Sequence, residues 1–232
     1  MSRVTKSPIL FMGYILTLVI VTAIFLWHPE IDLIVSREFY EPGKGFALGR
    51  TEPFLFIQRA IPYLTWFIIL TSIGIVAVRQ FLGDRCVTSL LQRKAIFIFL
   101  SLALGPGLLT NVILKDHWGR ARPSQVIEFG GAKRFTPPLL PTNQCVKNCS
   151  FVAGDPSVAF FFVAFAFVAT TYRGLLFLIG ITFGMIVGFV RIVQGGHFLS
   201  DVIFSAIMTI GVVYILHKIM FKPREASTIR EI

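Results

Sequence analysis

Leu175–Val190 reads LLFLIGITFGMIVGFV and Val202–His217 reads VIFSAIMTIGVVYILH; neither run contains Asp, Glu, Lys or Arg. Between them stands Arg191–Asp201, RIVQGGHFLSD, which brings an arginine, a histidine and an aspartate within eleven residues. Runs so apolar read as helices that cross a bilayer and turn back on a polar rim. The same reading extends outward to Pro8–Trp27, Ala60–Val78, Ala95–Leu114 and the shorter Pro156–Tyr172. Six spans are expected in all: an all-α integral membrane bundle forming a single domain over residues 1–232. Pro8–Trp27 has no small-residue cleavage motif at its end, so it is read as an uncleaved span. The shorter spans fit a bundle whose helix ends border an aqueous cleft.

Composition agrees. Hydrophobic residues make up 55% of the 232 residues and charged ones only 15%, where soluble domains run nearer about 25% charged. A soluble protein of this size would lack the polar side chains to cover its surface. That argues against an ordinary cytosolic enzyme, a disordered chain and a disulfide scaffold. The net charge of +10 reads as flanking Lys and Arg that meet anionic lipid, not as a nucleic-acid surface. Three cysteines are too few for a framework. Cys145 and Cys149 could pair in an oxidising compartment, and the zinc spacings are missing.

Eleven Lys and Arg fall on one side if six spans alternate: Arg3, Lys6, Arg79, Arg85, Arg93, Lys94, Arg173, Lys218, Lys222, Arg224 and Arg230. The positive-inside rule puts that side, with both termini, in the cytoplasm. The loop Lys115–Asp155 breaks the pattern, because it lies outside yet carries six Lys and Arg. A basic loop on the wrong side suggests an anion site.

Polar residues gather at the same outer rim. Lys115, Arg122 and Arg191 are cations of the number and kind that neutralise a phosphate, and arginine's planar fork binds two oxygens at once. His197 and Asp201 share a helical face at i and i+4, so Asp201 is expected to accept the Nδ1 proton and leave Nε2 as a nucleophile. Gly154 and the amides that follow it are placed to hold a phosphate oxygen. Asp155 is a candidate acid for the leaving group. Each residue also has a plainer reading. Lys115, Arg120 and Arg122 can be a juxtamembrane basic cluster, and Arg191 can snorkel. His197 and Asp201 can be a structural pair or metal ligands, and Asp155 before Pro156 can be a helix cap. Their joint occurrence at one depth is harder to explain without a ligand.

Lys-x6-Arg-Pro at Lys115–Pro123 and Arg-x5-His-x3-Asp at Arg191–Asp201 resemble the first and third signatures of the type 2 phosphatidic acid phosphatase (PAP2) superfamily. The resemblance implies a six-helix membrane phosphatase that works without metal or cofactor through a phosphohistidine. It makes His197 the nucleophile, Asp201 its orienting carboxylate, and Lys115, Arg122 and Arg191 the phosphate ligands. The middle signature departs. Where the family usually reads Pro-Ser-Gly-His, this chain has Val152, Ala153, Gly154 and Asp155, so Asp155 stands where the acid histidine would be. Val190 precedes Arg191 where serine is common. From Arg93 to Phe204, including Cys145 and Cys149, the chain looks like the bacterial lipid A 4′-phosphatases. The implied partners are a lipid substrate and the membrane, with the site facing the periplasm of the inner membrane. The loop Ser124–Asn148, with Lys133, Arg134 and Lys147, is expected to set specificity. The rival readings are a phosphatase of undecaprenyl diphosphate, phosphatidylglycerol phosphate or phosphatidic acid, a phosphotransferase, and an anion transporter. A transporter predicts a ladder of charges through the spans, and the sequence has none.

Overall fold

The computed structural model describes residues 6–83 and 86–221. Arg3, Arg85, Lys222, Arg224 and Arg230 lie outside them. Helix α1 (Lys6–Trp27) bends by 79° into the short α2 (Ile31–Arg37). Helix α3 (Glu52–Leu82) starts after Thr51, with Pro53 in its first turn where a missing N–H costs nothing, and it ends at Gly83, whose positive φ of 72° is a conformation glycine adopts without strain. Helix α4 (Ser89–Leu102) is capped by Thr88, whose Oγ1 accepts from Leu91 N at 3.2 Å. It continues as a π-helix (Ala103–Leu114) and ends in one α-turn, α5 (Lys115–His117). Helices α6 (Gly154–Phe160), α7 (Val163–Val168), α8 (Arg173–Val193) and α9 (Leu199–Met220) complete the described residues.

Four of these are long and apolar enough to cross a membrane: α3, the continuous Ser89–His117, α8 and α9. The bent α1–α2 pair is a fifth, and Gly154–Val168 is a shorter apolar stretch. The chain is thus an all-α membrane protein with apolar helices at all six expected places. The third span is not a plain helix. Pro106 supplies no N–H, and its ring crowds the preceding turn; the wider π-helix accommodates it between Gly105 and Gly107. The span expected over Pro156–Tyr172 stops at Val168 and breaks at Phe161–Phe162, where i→i+3 bonds tighten the turn (Phe162 N to Ala159 O, 3.1 Å; Ala164 N to Phe161 O, 2.8 Å).

What draws the ends together is α8. Gly180, Gly184 and Gly188 repeat every four residues along one face. A Cβ at Gly180 would meet Val163 N at 2.6 Å, one at Gly184 the Phe160 ring at 2.0 Å, and one at Gly188 a Val202 methyl at 2.3 Å. The bare backbone therefore lets α6, α7 and α9 approach closely, as small residues do between membrane helices. Phe97, Phe161, Val163, Val187 and Val213 fill the interior, while Tyr63, Trp66, Phe67 and Leu70 of α3 face outward, as lipid contact requires.

Candidate active site

Backbone bonds fasten the three motif segments to one another at one pole. Cys149 N donates to Lys115 O (2.9 Å) and Ser150 N to Arg120 O (2.8 Å), so 149–150 lies along 115–120. Ser124 N donates to Gly195 O (3.0 Å), and Ala153 N to Asp201 O (3.2 Å). Gly195 takes the sharp turn with φ of 61°. There is no room for a side chain on Gly196, because a Cβ would lie 2.7 Å from Arg191 Nη2; the guanidinium rests on its backbone.

His197 is buried, and its Nδ1 lies 2.7 Å from the Ser150 carbonyl. A carbonyl only accepts, so Nδ1 carries the proton and Nε2 keeps the lone pair. The expected direct bond from Nδ1 to Asp201 is replaced: Asp201 Oδ2 is 3.8 Å away, beyond hydrogen-bond range. Asp201 acts one step back. Its Oδ2 accepts from Ser150 Oγ (2.5 Å) and Phe198 N (2.8 Å), which holds Ser150 and the start of α9 in place. Burial is the largest influence on the imidazole, and with the charges of Arg191 and Arg122 it outweighs the opposing Asp201. The pKa of His197 falls to about 4. The ring is neutral at ordinary pH, as a nucleophile must be.

Behind Asp201 is Arg120, which reads in sequence only as one of a juxtamembrane basic cluster. Arg120 is fully buried and donates from Nη1 to Asp201 Oδ1 (2.5 Å) and Ser200 Oγ (2.9 Å), from Nη2 to Asp32 Oδ2 (2.7 Å), and from Nε to Thr136 O (2.9 Å). It lies over the Phe198 ring at 4.3 Å. Arg120 is therefore not part of a solvated juxtamembrane cluster. Asp32, on α2, also accepts from Ser200 N (2.8 Å) and Ser200 Oγ (2.5 Å). The 79° bend after α1 is what carries this carboxylate under the site.

The cations in front are less completely paired. Arg122 Nη2 donates to Asn148 O (2.8 Å) and Oδ1 (2.9 Å), and Asn148 sits at φ 54° in a loop closed by the Cys145–Cys149 disulfide. Arg191 Nη1 donates to Gln194 Oε1 (2.5 Å). Its Nε is buried with no hydrogen-bond partner among the described residues, although Asp155 Oδ2 lies 3.3 Å away. Lys115 Nζ and Asn111 Oδ1 come within 2.9 and 2.7 Å of the point a Cβ on Gly154 would occupy. Only glycine leaves room there.

The cap reading of Asp155 is corrected: α6 starts at Gly154 after Ala153, no side-chain hydrogen bond caps it, and Asp155 is ion-paired with Arg191. Lys133, Arg134 and Lys147 are exposed on the loop between α5 and α6. Among the described residues no cluster of three or more His, Cys, Asp or Glu could hold a metal ion.

The arrangement is a neutral imidazole with its Nε2 lone pair available, an arginine whose Nε makes no hydrogen bond among the described residues and is ion-paired to one carboxylate, and a second arginine and a lysine beside it. Such a set can hold a tetrahedral anion and attack its central atom. Comparison with known proteins agrees. Residues 94–225 match the model of the PAP2 superfamily. The chain is 36% identical over 208 residues to a protein of Francisella tularensis subsp. novicida named lipid A 4′-phosphatase, covering 87% of this chain and 91% of that one. Proteins of the same name from Rhizobium etli and Rhizobium leguminosarum are 42% and 39% identical over 103 and 104 residues, 44% of this chain and 40% and 45% of theirs. No solved structure matches.

Proposed function

The chain belongs to the PAP2 superfamily, and from that premise we propose that it is a membrane phosphatase that removes the 4′-phosphate of lipid A through a phosphohistidine at His197. The observation that carries this reading is the cluster of Arg191, Arg122 and Lys115 around the neutral His197, with Arg191 Nε held by no hydrogen bond among the described residues and only ion-paired to Asp155 at 3.3 Å. The kinship to lipid A 4′-phosphatases over most of the chain supplies the substrate.

Lys115, Arg122 and Arg191 bind the phosphate oxygens. Nε2 of His197 attacks phosphorus in line, a P–N bond forms, and the bond to the sugar oxygen breaks. The proton that the phosphate monoanion brings passes through the Asp155 carboxylate to the departing sugar oxygen, and Asp155 then takes one from the water that attacks the phosphohistidine and returns it to the phosphate. That water releases inorganic phosphate and returns His197 to its neutral form. The charge on Nδ1–H that develops during attack is met by the Ser150 carbonyl, which Asp201 and Arg120 hold still. Most of the acceleration comes from positioning and charge neutralisation, as is general for phosphoryl transfer.

The catalytic pole faces the periplasm. Arg79, Arg93, Lys94, Arg173 and Lys218 sit at helix ends of the opposite pole, which the positive-inside rule assigns to the cytoplasm. The disulfide in the catalytic loop suits an oxidising compartment.

Mass spectrometry of lipid A from cells with and without this protein tests the proposal. Loss of one phosphate from the distal glucosamine is expected. An unchanged spectrum, with phosphatidylglycerol phosphate cleaved instead, would contradict it.

A further inference from the structure

A groove of about 210 Å³ runs between α3 and the π-helical half of the third span. Ile69, Phe99, Leu102, Ala103 and Val158 make its walls, and Asn111 stands at one end. It exists because Pro106 forces the wider helix and Gly107 has no side chain to fill the gap. The apolar hollows of about 460 and 490 Å³ lie toward the other pole, beside Arg173 and Lys94, and share no residue with the phosphate cradle. The small groove does reach the cradle. Asn111 Oδ1 and Lys115 Nζ converge above Gly154, and Val158 is one turn further along the same helix.

Asn111 itself is out of place in a membrane span. It is exposed at the end of an apolar groove, where an amide side chain is costly to leave against hydrocarbon. Its Nδ2 donates to Pro106 O at 2.7 Å, which fixes the side chain and turns Oδ1 toward Gly154 and Lys115. A fixed acceptor between a phosphate cation and an apolar slot matches a lipid in order: phosphate, then a polar linkage with a hydroxyl or amide N–H, then a chain.

We propose that this groove holds one acyl chain of the lipid whose phosphate lies in the site, and that Asn111 accepts a hydrogen bond from the polar linkage at the chain's root. The proposal rests on the lipid phosphatase reading and adds a determinant of specificity to it. The groove selects for a chain that begins close to the phosphorylated sugar. A soluble phosphate ester has nothing to place there.

Two measurements on the full chain in detergent test it. The first compares hydrolysis of lipid A with that of the fully deacylated disaccharide from the same lipid, for wild type and for Ala103→Phe. The ratio of lipid to deacylated rate should fall at least about tenfold, the scale of roughly two displaced methylenes. An unchanged ratio, whether both rates fall or neither does, overturns the groove. Wild-type protein that cleaves neither compound would instead sink the phosphatase reading beneath it. The second uses His197→Ala protein and lipid A bearing a photoreactive diazirine in an acyl chain. Labelling of Phe99–Gly107, competed by unlabelled lipid A and not by phosphatidylcholine, is expected. Labelling elsewhere, or equal competition by phosphatidylcholine, means a bulk lipid or no chain occupies the groove and overturns the proposal.

Discussion

Arg120 and Arg122 stand two residues apart in one motif and have opposite surroundings. Arg120 is buried, and its guanidinium is shared among Asp32, Asp201, Ser200 and Thr136. Arg122 is half-buried, and among the described residues its guanidinium donates from Nη2 to Asn148. The first lies behind His197 and the second in front of it. The region behind is closed: two carboxylates, one guanidinium and two serine hydroxyls satisfy one another. The region in front is less completely satisfied: among the described residues Arg191 Nε makes no hydrogen bond and has only the Asp155 carboxylate 3.3 Å away. An enzyme that must hold a nucleophile rigidly and still bind an anion needs both, because a fully paired arginine has no fork left for phosphate.

The largest effect should come from breaking the rear. Arg120→Ala leaves Asp32 and Asp201 buried without their cation, a cost of about 3–5 kcal/mol, a large fraction of the roughly 5–15 kcal/mol that stabilises a typical domain. The variant should fail to accumulate or should melt far below wild type in a detergent thermal-unfolding assay, whereas Arg122→Ala should melt like wild type and lose about 10- to 100-fold in kcat/KM, the scale of one charge-assisted hydrogen bond. Equal stability of the two variants would erase the distinction between the regions.

Asp155→Asn comes next on the front side. It keeps the shape and removes the proton carrier, so kcat should fall about 10²-fold or more with little change in KM. A wild-type rate would leave Asp155 as a partner of Arg191 and nothing else. Smaller again is the effect of reducing Cys145–Cys149. That loosens Asn148 and with it Arg122, so KM should rise several-fold while kcat holds, and Cys145→Ser should behave the same way. An unchanged KM after complete reduction would show that Arg122 does not need the loop.

The smallest effect concerns protonation of the buried ring. With a folded pKa of about 4, His197 stays neutral through mild acid, and its imidazole NMR signals should not move between pH 7 and 5. The unfolded chain binds that proton near about 6.5, so in this window the unfolded state holds more protons. Stability from this group is therefore present at higher pH and is lost as pH falls toward 4. A ring that titrates near its ordinary value would mean that burial does not dominate its surroundings.

Much of the front was legible in the sequence. Alternation of the spans puts Lys115, Arg122, Asp155, Arg191, His197 and Asp201 at one pole, and the structure brings them together there. The rear was not, because its contacts are remote. Asp32 meets Arg120 across 88 residues, and no motif joins the two. A backbone carbonyl, that of Ser150, takes the place expected of Asp201 at Nδ1, and no pattern of side chains announces a carbonyl. The π-helix had a signal in Gly105-Pro106-Gly107, and the close approach of α8 had one in Gly180, Gly184 and Gly188. Hydropathy registers these as merely apolar. Asn111 and Asn148 are single polar residues whose neighbours only the fold supplies.

The central claim is that His197 carries the phosphoryl group. Rapid quenching of the enzyme with lipid A labelled by ³²P at the 4′-phosphate, followed by peptide mapping, tests it directly. Wild-type protein should yield an acid-labile, base-stable label on the peptide containing His197, and His197→Ala should yield none while losing at least about 10³-fold in kcat. Label on another residue, or full turnover by His197→Ala, would contradict the account.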